Sequence, residues 1–340
     1  MTAAMAFEEL LRAAVTRRCS LMSRLAMEQT DCYRLFHGAQ EGVPGVALDR
    51  YGDLALLQSF QAPVTDDEVA VVRRVLDEFF PESQLVYNDR SAPGSRVRNR
   101  LNGPGRIVAE LDRIVCEQGV RFQVRARHRG NDPWLFLDLR TTRRAVMDEA
   151  EGKSVLNLFA YTCGVGVAAA VAGAHRVLNV DFAKSSLAVG TVNARLNGVE
   201  NRTMQLLSDV FPAVRQLSGV RQPPVVRRRR LPRFPRLEPE SFDLVFLDPP
   251  TLARSRFGVV DLVRDYQGVL KPALGAVAPG GILYCTCHVA RVEEKEWHAQ
   301  LCRCADKCGR PIKALDVVRP GDDFPSADAR PPLKVARLAL

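Results

Sequence analysis

The chain has 340 residues, 46% of them hydrophobic, with 48 Lys and Arg against 39 Asp and Glu for a formal charge of +9. That length can bury a full α/β core and one further small domain, and no apolar run approaches the roughly 20 residues of a membrane helix, so neither a membrane span nor a signal peptide is expected. Nine scattered cysteines suit a reducing cytoplasm rather than a disulfide framework, and the positive balance favours a polyanionic partner.

Residues 1–30 read as a helical packing segment, with Phe7, Leu10, Leu11 and Val15 at helix spacing. Residues 31–130 change character. Gly38, Gly42, Pro44, Gly45 and Gly52 punctuate short alternating apolar runs, which is hairpin grammar and predicts a small β-rich α+β domain. Arg90 to Arg129 holds ten arginines against Glu110, Asp112 and Glu117, a bias that a merely solvated surface seldom shows and that suits a polyanionic partner.

From residue 131 to 340 strands alternate with helices, which predicts a parallel, doubly wound, Rossmann-like sheet of seven strands. The strand candidates are Val155–Leu158, Val177–Val180, Met204–Leu207, Leu244–Leu247, Gly281–Cys285, Ile312–Val317 and Leu333–Leu340. The first strand runs into Tyr161-Thr162-Cys163-Gly164 and then a small-residue helix through Gly166, where a missing Cβ lets backbone amides approach a ligand. The second ends at Asp181, placed where a carboxylate accepts ribose hydroxyls. Taken alone, this turn fits a nicotinamide cofactor or S-adenosylmethionine equally.

Ligands in such sheets sit at the carboxyl ends of the strands, and the other ends also carry polar or special residues. Ser208-Asp209-Val210 follows the third strand, Asp248-Pro249-Pro250-Thr251 the fourth and Thr286-Cys287-His288 the fifth. In an adenosyl site, amides of Gly164 to Gly166 would hold the methionine part, Asp181 the ribose, Asp209 the adenine amino group, and Phe182 the ring face. A helix N-cap is the plain alternative for Asp209. The Asp-Pro-Pro run discriminates between cofactors: two prolines after a buried strand fix a rigid protruding backbone, which serves to grip a flipped planar base and has no evident use in hydride transfer.

Two other features are weighed differently. The run Arg227 to Arg230, in a Pro-rich loop at 221–237, precedes the fourth strand and so enters the sheet from the edge opposite the cofactor; disorder or a peripheral contact with a polyanion is the expectation. Cys302, Cys304 and Cys308 cluster with His298, but the spacing matches no common zinc pattern and falls on a predicted helix, so no metal is expected.

On these motifs the chain resembles the class I S-adenosylmethionine-dependent methyltransferases of large-subunit ribosomal RNA, in their cytosine-5 and 7-methylguanine branches. The resemblance rests on RLFHGAQEGVPGVALDRYGD (Arg34 to Asp53), LFLDLRTTRR (Leu135 to Arg144), NLFAYTCGVG (Asn157 to Gly166), the segment Val180 to Gly198, DLVFLDPPT (Asp243 to Thr251) and PGGILYCTC (Pro279 to Cys287). It implies S-adenosylmethionine as cofactor, with Asp138 and Arg140 lying against it, and ribosomal RNA as partner. It also implies a nucleophilic role for Cys287, which would add to cytosine C6, with Asp248 steadying the ring and Pro249, Pro250 and Thr251 binding substrate. Guanine N7 methylation, which needs no cysteine, is the alternative. Cytosine-5 relatives often carry a PUA module ahead of the RLFHG-like block; only about 30 residues precede it here, so the expectation is that either the basic central segment reaches the RNA itself or substrate capture differs.

Overall fold

The computed structural model describes residues 3–95, 99, 101, 103–129, 132–221, 225, 226, 229–326 and 331–340. Contacts divide the chain into two units, one of residues 1–140 with 321–329 and one of 141–320 with 330–340.

The first unit begins with helices α1 (Ala3–Arg17) and α2 (Cys19–Met27), followed by strands β1 (Cys32–His37), β2 (Val46–Tyr51) and β3 (Leu54–Ser59). Helix α3 (Asp66–Phe79) then crosses to β4 (Gln84–Asp89). Its start is set by Thr65 and Glu68, whose side chains and backbone amides satisfy one another in a capping box. The sheet order is β1-β2-β3-β4, antiparallel except for the β3/β4 pair that α3 connects. Phe7 and Leu11 of α1, Leu25 of α2, Val72 and Val75 of α3, and Leu35 and Leu57 of the sheet form one buried cluster. Residues 3–27 and α3 thus supply the helical layer over this sheet.

Helix α4 (Gly103–Glu110) precedes the hairpin β5 (Arg113–Glu117) and β6 (Val120–Val124). Gln118 and Gly119 both have positive φ, 55° and 79°, the backbone of a two-residue turn whose twist matches the strands it joins.

The second unit opens with α5 (Arg140–Glu149, its first residue counted with the first unit) and continues as β7 (Ser154–Leu158), α6 (Gly164–Val171), β8 (Arg176–Asp181), α7 (Lys184–Leu196), β9 (Thr203–Leu207) and α8 (Val210–Leu217). After a short antiparallel pair, β10 (Val225–Val226) and β11 (Arg229–Arg230), come β12 (Phe242–Leu247) and a hairpin of β13 (Leu252–Arg254) and β14 (Val259–Asp261). The chain ends with α9 (Gln267–Gly275), β15 (Val277–Cys287), α10 (Glu294–Lys307), β16 (Ala314–Val318) and β17 (Lys334–Ala339). Arg227 and Arg228 of the arginine run lie outside the described residues.

The large sheet has the order β16-β17-β15-β12-β7-β8-β9. The expected seven strands are all present, but β17 runs antiparallel to both neighbours while the other six share one direction. A parallel pairing needs a crossover of a dozen or more residues, usually a helix; the described residues between β16 and β17 contain none, and β17 slots in reversed. The chain lays down β7, β8 and β9 outward in one direction, then returns to the other side of β7 with β12. Strand order therefore reverses between β7 and β12, and the carboxyl ends of these two strands flank the crevice where such sheets bind ligands. Leu156, Leu158, Leu247, Leu270, Tyr266 and Trp297 belong to the core beneath this sheet.

Candidate active site at the strand reversal

The loop leaving β7 has an unusual backbone. Phe159, Tyr161 and Cys163 adopt left-handed φ of 59°, 49° and 61°, a conformation that costs a non-glycine residue on the order of 1 kcal/mol or more and persists only where surroundings enforce it. Here they do. Ala160 N donates to Val180 O (3.0 Å), Cys163 N to Ala160 O (2.7 Å) and Asn193 Nδ2 to Thr162 O (3.0 Å). The Cys163 sulfur lies where any side chain at Gly190 of α7 would have to stand, so loop and helix fit only because that position is glycine.

Asp181, at the end of β8, closes the loop from the other side. Its Oδ2 accepts from Tyr161 N (2.9 Å) and its Oδ1 from Ala183 N (2.7 Å). Burial pushes its pKa above the ordinary carboxylate value despite these bonds. A carboxylate offers about four lone-pair sites, so acceptor capacity remains for a ligand's hydroxyls. Phe182, next in sequence, is 61% exposed, an open ring face beside the carboxylate. Asp209, half-buried, caps α8 by accepting from Phe211 N (3.0 Å). A buried carboxylate, an open aromatic face and a second carboxylate at successive strand ends supply acceptors and a stacking surface that fit the hydroxyls, ring and amino group of an adenosyl moiety.

On the β12 side, Thr286 Oγ1 donates to Asp248 Oδ1. Burial raises the Asp248 pKa, while this bond and the charges of His288 and Arg143 oppose the rise. Pro249 is buried, Pro250 half-buried and Thr251 exposed, so the chain emerges to the surface at Thr251 and enters the β13–β14 hairpin.

The structure bears on four sequence-based expectations. Gly166 was expected to open the backbone toward a ligand; a Cβ there would also collide with Asn179 Oδ1, so this glycine lets α6 lie against β8 as well. Val210 was expected at the cofactor, but its side chain is buried in the core beneath the sheet. Arg140 was expected to touch the cofactor. Instead its guanidinium forms a buried two-bond ion pair with Asp323, which also accepts from Arg34 N (3.0 Å), and this ties the segment around Asp323 to the first unit. Asp138 stands half-buried in a single turn, Leu137–Leu139, of that unit.

Cys287 is the fourth. Side chains alternate along β15, and Thr286 faces Asp248 while Cys285 and Cys287 point into the core with Tyr266 and Trp297. The thiol is fully buried, and burial raises its pKa above the ordinary value although the Lys334 charge pulls the other way. A cysteine nucleophile acts as thiolate, favoured by lowered pKa and access; this one has neither.

The arginine-rich stretch also reads differently in three dimensions. Arg113 bonds Asp53 and Gln84, Arg125 bonds Asp112, Arg106 bonds Glu110, and Arg127 bonds Asn88 and two carbonyls. These four side chains are engaged in the fold. Arg96, Arg98 and Arg100 lie outside the described residues.

Thr286 was noted from sequence only as part of the fifth strand's end, without a role, and Arg143 had not been singled out. The alternation of β15 carries a signal for Thr286, since a hydroxyl between two cysteines must face the other side. Among the described residues no group of three or more His, Cys, Asp or Glu gathers as a metal site, and no helix is long and apolar enough to cross a membrane.

The fold and this site together define a doubly wound α/β protein with an adenosyl-type ligand crevice at its strand reversal. Residues 33–226 match the model of the S-adenosylmethionine-dependent methyltransferase family, and the chain belongs to that family, with S-adenosylmethionine as its cofactor. It is 30% identical over 305 residues to ribosomal RNA large subunit methyltransferase I of Aeromonas hydrophila, covering 88% of this chain and 71% of that protein. Ribosomal RNA large subunit methyltransferase K/L of Pseudomonas entomophila is 33% identical over 263 residues, which span 76% of this chain but 33% of that longer protein. Among solved structures, the methyltransferase SMU.776 complexed with SAH superposes with a TM-score of 0.80 at 23% identity, covering all of this chain and 82% of that one.

Proposed function

We propose that this methyltransferase modifies large-subunit ribosomal RNA in the cytoplasm, and that its target atom is guanine N7. The RNA assignment is supported by the similarity to the ribosomal RNA methyltransferases of Aeromonas and Pseudomonas and by the net charge of +9; nine free cysteines accord with a reducing compartment. The choice of guanine N7 over cytosine C5 is carried by one observation: Cys287, the residue that cytosine chemistry would need as a thiolate, is buried on the core face of β15 with its pKa raised.

Bound S-adenosylmethionine supplies an electrophilic methyl group on a cationic sulfur. Asp181 would hold its ribose hydroxyls, Phe182 its adenine ring and Asp209 the adenine amino group, with the backbone of Tyr161, Thr162 and Gly164 around the methionine end. Asp248, oriented by Thr286, is an acceptor at the end of the rigid Pro249-Pro250 link. Guanine presents N1–H and N2–H donors on one edge, which a carboxylate can accept together, and its N7 on the opposite edge carries a lone pair and no hydrogen. Methylation there needs neither a base nor a covalent adduct, so the residues have only to orient the ring and exclude water.

The test is mass mapping of nucleosides in ribosomal RNA incubated with the wild-type protein and with Cys287→Ala. Formation of 7-methylguanosine by both supports the reading. 5-Methylcytidine that disappears in Cys287→Ala restores the cytosine assignment.

A further inference from the structure

Immediately after Thr251 the chain folds into the β13–β14 hairpin, with Leu252 opposite Asp261, Ala253 opposite Val260 and Arg254 opposite Val259. Directly paired residues share a face. Ala253 and Val260 therefore lie on one side and Leu252, Arg254, Val259 and Asp261 on the other. The inner side is pinned: Val260 is part of the buried core and Ala253 packs against it.

The mounting is rigid beyond that. Ser255 N donates to Gly258 O (2.9 Å), and Ser255 Oγ accepts from Phe257 N (3.1 Å) and Gly258 N (3.3 Å), closing the tip. Phe257 meets Phe234 edge-on at 5.6 Å between ring centroids. A Cβ at Gly258 would stand 2.7 Å from the Phe211 ring, so the tip lies tight against α8. Asp261 Oδ1 is occupied by the amides of Val263 and Arg264, both at 3.0 Å.

The outer side, by contrast, is open. Leu252 is 55% and Val259 45% exposed, and Arg254 and Arg256 are exposed beside them. A single exposed leucine is ordinary. Two aliphatic side chains on one face of a braced hairpin, with two arginines and a two-proline connection to Asp248, form a surface with both an apolar and a cationic component. That pairing complements a nucleotide strand, which offers flat base faces and phosphates.

We propose that the outer face of this hairpin receives the RNA strand flanking the target base. Leu252 and Val259 cover the base face left bare when the target leaves its stack, and Arg254 and Arg256 contact adjacent phosphates. This rests on the RNA reading above.

The experiment uses the full chain, in vitro transcribed large-subunit ribosomal RNA, and the variants Arg254→Gln/Arg256→Gln and Leu252→Ala/Val259→Ala. The arginine variant should bind RNA about tenfold more weakly and lower the slope of log affinity against log salt by about 1 to 2. The aliphatic variant should lower kcat about tenfold, and both should bind S-adenosylhomocysteine as wild type does in calorimetry. If the wild-type protein transfers methyl to this RNA and both variants match it in affinity, salt slope and kcat, the hairpin's role is overturned while the RNA reading stands. If the wild-type protein transfers none, the RNA reading and the hairpin role fall together.

Discussion

Thr286 on β15 donates its hydroxyl hydrogen to Asp248 at the end of the adjacent strand β12. The bond fixes one carboxylate oxygen at the strand reversal, and in the proposed role the other accepts from the ligand. Removing the hydroxyl leaves a part-buried acceptor without this partner, at a cost of about 1 kcal/mol, and frees the carboxylate to rotate. Thr286→Val should therefore lower kcat by about 10- to 100-fold with S-adenosylhomocysteine affinity unchanged, and Thr286→Ser should restore most of it. Steady-state kinetics beside calorimetry checks this; equal losses in cofactor affinity would mean a general packing defect.

Asp248 also sets a pH dependence. Its folded pKa lies above the ordinary value of 3.8 because of burial, and in the proposed role the ionised form is the acceptor. Activity should fall as pH drops through that raised pKa. Stability runs the other way: a raised carboxylate pKa favours the folded state below the unfolded value, and this contribution is lost as pH rises through the folded value. Asp248→Asn should thus lose activity at every pH, while its melting temperature near pH 7 stays equal to or above that of the wild type. A melting temperature well below wild type would contradict the burial argument.

Gly166 makes a packing prediction. A methyl group there meets Asn179 Oδ1, and overpacking of a close-fitted core costs about 1–3 kcal/mol. Gly166→Ala should lower the denaturation midpoint accordingly, and Gly166→Ala/Asn179→Ala should recover part of the loss. A variant as stable as wild type would show that α6 has room to shift.

Arg140 and Asp323 make another. Both side chains are almost fully buried, so removing one leaves an uncompensated charge at about 3–5 kcal/mol, whereas replacing both with apolar groups can be near neutral. Asp323→Leu should be strongly destabilised in urea unfolding and Arg140→Met/Asp323→Leu much less so. Intact S-adenosylhomocysteine binding in the double variant would confirm that Arg140 holds the fold; loss of binding alone would return it to the cofactor.

Much of the second unit was legible in the chain because its signals are local. An apolar β-rich run, a glycine turn and an amphipathic helix each announce themselves within 20 residues, and all seven strand candidates overlap observed strands. The strand-end residues Asp181, Asp209 and Asp248 were legible for the same reason, since a strand's end and its next residue are neighbours in sequence. The reversal of β17 was not, because it depends on which strands β17 enters between, and one of them, β15, pairs with it from 47 to 57 residues away.

Side-chain direction and partnership lie at a second level. Arg140 and Asp323 are 183 positions apart, and no local pattern shows that an arginine beside a cofactor motif is taken up by an aspartate in a distant loop. Thr286 and Cys287 are adjacent, of similar size and both plausible chemically; a one-residue alternation turned one toward Asp248 and the other into the core. Composition, periodicity and turn residues were enough to establish a doubly wound sheet and the residues at its strand ends, because those follow from backbone geometry and burial along a short stretch. Which groups reach that ligand depended on strand register and long-range pairing, which exist only once the chain has closed on itself.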